Sequence, residues 1–120
     1  MTTGPIDQAA FDRLVEMTGG DLDFVDELVD TYIEDGRGQI DGLRSALERG
    51  DTEALVRSAH SLKSSSFNVG ALVLGDRCGA LEEAGRGGSV GDAAAQVAAI
   101  AADFEEAVAA LLDARATRPA

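Results

Sequence analysis

Apolar residues recur at helical spacing along almost the whole chain, and no stretch of alternating apolar and polar residues bounded by turns reads as a strand. The pattern predicts an all-α protein. A short first helix is expected from Pro5 to about Met17, with Ile6, Ala10, Leu14 and Met17 on one stripe, Pro5 in its first turn and Gly19-Gly20 ending it. A second opens at Asp21 as N-cap and carries Leu22, Val25, Leu28, Val29, Tyr32 and Ile33. It continues weakly to Ile40, Leu43 and Leu47, because Gly36, Gly38 and Gly42 interrupt its middle.

Gly50 and Asp51 read as a stop followed by a new cap, so the third helix runs from Thr52 to about Val69, before Gly70. Leu74, Cys78 and Leu81 mark a fourth from about Ala71 to Ala84, with Cys78 a buried core residue. It runs out into a hinge at Gly85-Arg86-Gly87-Gly88. Ser89-Val90-Gly91-Asp92 resembles a capping box with Asp in place of Glu, and Val97, Ile100, Phe104, Val108 and Leu111 stripe a last helix. Arg115 to Ala120 is expected to be a frayed tail. Four longer helices, each with one apolar face, bury those faces together only as a bundle. The expectation is one domain spanning 1–120, ordered over about 5–114: an antiparallel up-and-down four-helix bundle with a short additional N-terminal helix.

Composition narrows the function. Asp and Glu number 22 against 10 Lys and Arg, a formal net charge of −12, which repels nucleic-acid backbone and anionic lipid. Neither nucleic acid nor membrane is an expected partner. The alanine-rich stretch from Ala93 to Ala102 falls far short of the ~20 apolar residues that a membrane span needs. The single cysteine forms no internal disulfide, and MTTGPIDQ lacks the basic and apolar regions of a signal peptide, so a cytoplasmic location is expected. The glycine loop follows a helix rather than a strand and has no adjacent Lys-Ser/Thr pair, so it is not a nucleotide fingerprint.

The segment AHSLKSSSFNVGA, residues 59–71, holds the only histidine. Residues three and four apart share a helix face, which puts Leu55, Ala59, Leu62, Ser66 and Val69 on a core stripe and His60, Lys63, Ser64 and Phe67 on another. His60 therefore sits near the surface, opposite Leu62. Residues 54–75 contain no Asp or Glu and only Arg57, His60 and Lys63 as ionisable groups, an environment that suits an incoming anion such as a phosphoryl group. A neutral imidazole is a competent nucleophile near neutral pH when one ring nitrogen is free and the other is held, and Lys63 can offset charge on transferred oxygens. One histidine without a cysteine cluster gives no zinc set, and neither a serine outside this turn nor an oxyanion hole can be located for a triad. An enzyme using His60 as general base, and a histidine that merely sits in solvent, both stay open at this point.

His60-Ser61-Leu62-Lys63-Ser64-Ser65-Ser66 followed by Gly70-Ala71 resembles the signature of histidine-containing phosphotransfer (HPt) domains of multistep two-component relays: His, any residue, Leu, Lys, Gly and two small residues, closed by Gly-Ala or Gly-Leu. Ala59, Cys78 and Leu81-Glu82 extend the likeness over nearly the whole chain. The resemblance implies that His60 accepts a phosphoryl group from a receiver-domain aspartyl phosphate and passes it to another receiver. It implies no ATP site, no cofactor and no metal ligand in this chain, since the receiver brings the magnesium ion. The partners it implies are receiver domains of response regulators or hybrid histidine kinases, met by a monomer.

By position Lys63 matches the family lysine that steadies the phosphoryl oxygens. Ser64 stands where the family usually has glycine, a position kept small for the approach of a receiver. Serine is the smallest polar replacement and is expected to turn its hydroxyl back to a carbonyl one turn earlier, so that function survives, with slower docking or a narrower choice of partner as the cost. Glu82 matches a family position, often Gln or Glu, that reaches the histidine; it either accepts the Nδ1 hydrogen of His60 or is a solvated helix residue. Phe67 is either a receiver-docking contact or packed inside the bundle, and Arg57 either assists phosphate binding or is a solubilising charge. Residues beyond the bundle at both ends are those expected of a free-standing protein. A helical adaptor that binds receivers or other signalling proteins without being phosphorylated is the alternative function.

Overall fold

In the computed structural model, which describes residues 5–88 and 91–117, five helices follow one another: α1 (Gln8–Met17), α2 (Leu22–Arg49), α3 (Thr52–Asn68), α4 (Leu72–Arg86) and α5 (Ala93–Thr117). Two of their starts are set by local chemistry. Asp21 Oδ1 accepts from the Phe24 amide at 3.1 Å and Asp51 Oδ1 from the Ala54 amide at 3.0 Å, each satisfying a backbone donor that a helix start leaves bare. Gly50 ends α2 in the left-handed region at φ 64°, so two residues suffice to reverse the chain into α3.

With such short connections, consecutive helices pack antiparallel. α3 packs against α2 and α4, and α5 closes the ring by packing against both α2 and α4. The result is an antiparallel four-helix bundle, with α1 laid against α2 and tied to the α3–α4 turn by the Asp7 amide, which donates to the Gly70 carbonyl at 2.8 Å. Leu43, Leu62, Leu74, Leu81, Ile100, Phe104 and Leu111 are among the fully buried residues at its centre. Within that core the Tyr32 hydroxyl and the Ser66 hydroxyl lie 2.8 Å apart, and burial pushes the phenol up to about 12.

Four expectations are corrected. α1 begins at Gln8 with Asp7 at its N-cap position, so Pro5 precedes the helix; its buried residues are Ala10 and Phe11, while Met17 is exposed. α2 runs unbroken through its glycines. A β-carbon on Gly36 would lie 2.3 Å from the Phe104 ring and one on Gly42 2.7 Å from the Ser58 hydroxyl, so these glycines mark close approaches of neighbouring helices. α4 continues past Ala84 to Arg86, taking half of the expected hinge into the helix. Arg115 to Thr117 extend α5 rather than fray, because Arg115 reaches Asp30 at 2.8 Å and Asp26 at 3.9 Å on α2. Ser89 and Val90 of the expected capping box, and residues 118–120 of the expected tail, lie outside the described residues. No helix among the described residues is long and apolar enough to cross a membrane.

Candidate phosphoacceptor site

The stripe of α3 that faces the core is Leu55, Ala59, Leu62 and Ser66, continued by Val69 at the C-cap position, each buried. Three of the residues on the adjoining row, His60, Ser64 and Phe67, are exposed, and Lys63 is half-buried against α4. The His60 side chain is 54% exposed, yet one edge of its ring is anchored: Nδ1 lies 2.9 Å from Oε2 of Glu82 on α4. Glu82 is not a solvated helix residue, being only 6% exposed.

Three basic groups converge on that one carboxylate. Lys63 Nζ sits 2.7 Å from Oε1, while Arg86 Nη2 and Nε donate to Oε2 at 2.8 and 3.2 Å. Lys63, then Arg86, and to a lesser degree His60 hold the Glu82 carboxyl down to about 2 from an ordinary 4.5, against the upward pull of burial. A carboxylate so firmly ionised only accepts hydrogen bonds, so the hydrogen between the pair belongs to Nδ1 and the lone pair of the neutral ring to Nε2. The stretch free of acidic residues in sequence is therefore not free of them in space. What α4 inserts beside His60 is a buried negative charge, outnumbered by Lys63 and Arg86.

Glycines on α4 make the approach of the two helices possible. A β-carbon on Gly75 would lie 2.4 Å from the Phe67 ring, one on Gly79 3.2 Å from Cδ of Lys63, and one on Gly85 2.5 Å from Val56. Phe67 accordingly does two things: its ring rests on bare backbone at Gly75, and it remains 39% exposed beside the histidine row. Arg57 is exposed, pairs loosely with Glu53 at 3.7 Å and lines an open groove of about 880 Å³ that runs beside His60 between the first turns of α3 and the last turn of α4. Ser64 does not turn its hydroxyl back onto the helix. Its neighbour Ser65 does so, to the carbonyls of Ser61 and Leu62 at 3.2 and 3.3 Å. Arg86 was not anticipated from sequence, although its place four residues after Glu82 on a helix is the spacing of an ion pair. Among the described residues no group of three or more His, Cys, Asp or Glu side chains is placed to hold a metal ion. Cys78 is buried, which pushes its thiol up to about 12.

The sequence model of one family, described as the Hpt domain, matches residues 27–114, from the first turns of α2 to near the end of α5. The chain belongs to the Hpt domain family. Its structure also matches, at a TM-score of 0.89 and 29% sequence identity, the crystal structure of histidine-containing phosphotransfer protein B (HptB) from Pseudomonas aeruginosa PAO1, covering 98% of this chain and 100% of that one. That match takes in α1, which the family model leaves out. A search of curated proteins finds no match. Hpt domains serve histidine phosphotransfer in two-component phosphorelays, where they interact with receiver domains; they are carriers of the phosphoryl group rather than catalysts with an ATP site of their own.

Proposed function

We propose that this protein is a phosphorelay intermediate in which His60 accepts a phosphoryl group from the aspartyl phosphate of one receiver domain and passes it to another. The observation that carries the proposal is the 2.9 Å contact between His60 Nδ1 and the buried carboxylate of Glu82, on an otherwise exposed ring. It leaves Nε2 as the free nucleophile and fixes the tautomer and the ring orientation.

The lone pair of Nε2 attacks phosphorus, and the phosphorus–oxygen bond to the receiver's aspartate breaks with its electron pair remaining on that carboxylate. The ring keeps its Nδ1 hydrogen and becomes a cationic phosphoimidazolium, whose charge Glu82 offsets. Transfer onward reverses these changes, the nitrogen–phosphorus pair returning to Nε2. Lys63 sits one turn from His60 and exchanges its hold on Glu82 for the phosphoryl oxygens, which carry more negative charge. Arg86 is left to secure the carboxylate. The receiver supplies the magnesium ion, and Ser64, Phe67 and Arg57 belong to the face that it meets. Monomeric state and cytoplasmic location are part of the same proposal; light scattering of the purified protein tests the first, and fractionation of the source cells the second.

The test is transfer of labelled phosphate from a panel of phosphorylated receivers to the wild type and to His60→Gln, without ATP. Acid-labile, alkali-stable label on the wild type alone is the expected result. Binding of receivers without transfer would instead support a non-phosphorylated adaptor.

A further inference from the structure

Of the serines at 64, 65 and 66, Ser64 alone leaves its hydroxyl without a hydrogen bond among the described residues; the Ser61 hydroxyl is unbonded too, but lies on a different row of α3. Ser65 bonds its own helix, and Ser66 is buried against the Tyr32 phenol. Ser64 is exposed, and among the described residues its hydroxyl has no hydrogen-bond partner. It follows His60 by one helical turn on the same row, where β-carbons are about 5–6 Å apart. Because bonds from α- to β-carbon tilt toward a helix N-terminus, its hydroxyl is carried back toward the histidine's turn.

The cations nearby are engaged elsewhere in the resting protein: Lys63 and Arg86 with Glu82, and Arg57 with Glu53. The contact of Nδ1 with Glu82 turns the Nε2 edge of the ring away from that carboxylate. A phosphoryl group on Nε2 thus arrives beside one uncommitted donor of its own row, and that donor needs no ion pair broken to serve. We propose that Ser64 is a further residue of the phosphoacceptor site, its hydroxyl donating a hydrogen bond to a nonbridging oxygen of the phosphoryl group on His60. This rests on the reading of His60 as the phosphoacceptor.

The consequence is a longer-lived phosphohistidine. In hydrolysis, water attacks phosphorus and the nitrogen–phosphorus bond breaks with its pair returning to Nε2, giving imidazole and inorganic phosphate. The transition state is loose, and charge drains from the nonbridging oxygens toward the departing nitrogen. A donor to those oxygens therefore holds the bound state more tightly than the transition state and slows the loss. Where glycine occupies this position, that donor is missing.

The experiment loads wild type, Ser64→Ala, Ser64→Gly, Ser64→Thr, Ser61→Ala and His60→Gln with the small-molecule donor phosphoramidate and follows alkali-stable phosphate after the donor is removed. No receiver is present, so docking does not enter. Ser64→Ala and Ser64→Gly are expected to lose phosphate about fivefold faster than wild type, the factor that one net hydrogen bond supplies. Ser64→Thr, which keeps a hydroxyl, stays close to wild type, and so does Ser61→Ala, which removes a hydroxyl from a different row. Equal lifetimes across the Ser64 series, with label present on the wild type, overturn the Ser64 proposal alone. Label equally present on His60→Gln, or absent from the wild type, overturns the phosphoacceptor reading and this proposal together.

Discussion

Glu82 is the residue on which the site turns, because it meets a histidine, a lysine and an arginine with a single buried carboxylate. Its carboxyl is held down to about 2 by these partners, so folding is favoured by its ionisation. That contribution is complete above the unfolded value of about 4.5 and is lost as the pH falls through about 2. Wild type should therefore lose stability more steeply than Glu82→Gln between these limits, read from urea midpoints at each pH; parallel curves would show that the three partners leave the carboxyl unperturbed. Replacing Lys63 with Gln should slow transfer from a receiver about tenfold, the worth of one hydrogen bond to a charged group. It should leave the His60 tautomer unchanged in nitrogen NMR, since Arg86 still secures the carboxylate. A changed tautomer would make Lys63 a support of the ring rather than of the phosphoryl group.

At the scale of the helix, glycines decide how near the elements come. A β-carbon on Gly36 would meet the ring of Phe104, which is 1% exposed and has little room to move. Gly36→Ala should therefore destabilise the bundle by about 1–3 kcal/mol in chemical denaturation despite alanine's better helix propensity; a gain in stability would show that the ring relaxes freely. Such contacts explain what was legible in the sequence. Asp21, Asp51 and Gly50 were readable because capping chemistry lies within four residues of itself, and the stripes of α3 and α5 were readable because burial repeats with the helix period. Gly36 and Gly42 look like interruptions from within α2, and only the side chains of α5 and α3 packed over them reveal their use. Arg115 looks like part of a tail until α2 places Asp26 and Asp30 beside it. The site followed the same division. His60 and Lys63 share one helix and one motif, whereas the contact with Glu82 was reached through a family resemblance, because it depends on how far α4 advances over Gly75, Gly79 and Gly85. Arg86 became part of the site only through that same advance.

For the molecule as a whole, a net charge of −12 is distributed so that the row around His60 carries no exposed carboxylate from residue 54 to residue 75. A negatively charged phosphoryl donor that approaches along that row meets no carboxylate from that stretch of the chain. Phe67, seated on Gly75 and 39% exposed, gives that approach an apolar foothold beside the charged groups. Phe67→Ala should weaken receiver binding about fivefold or more by calorimetry, as loss of an aromatic anchor does, while leaving loading by phosphoramidate unchanged. Equal loss in both assays would place Phe67 in the packing of the site instead. The central claim concerns one atom, and the chain's single histidine makes that atom observable without ambiguity. Nitrogen-15 and phosphorus-31 NMR of the protein loaded from a phosphorylated receiver should show phosphorus coupled to Nε2 of His60, with Nδ1 still protonated. Phosphorus on Nδ1, or an imidazole unchanged after a receiver has bound and lost its phosphate, would contradict the account.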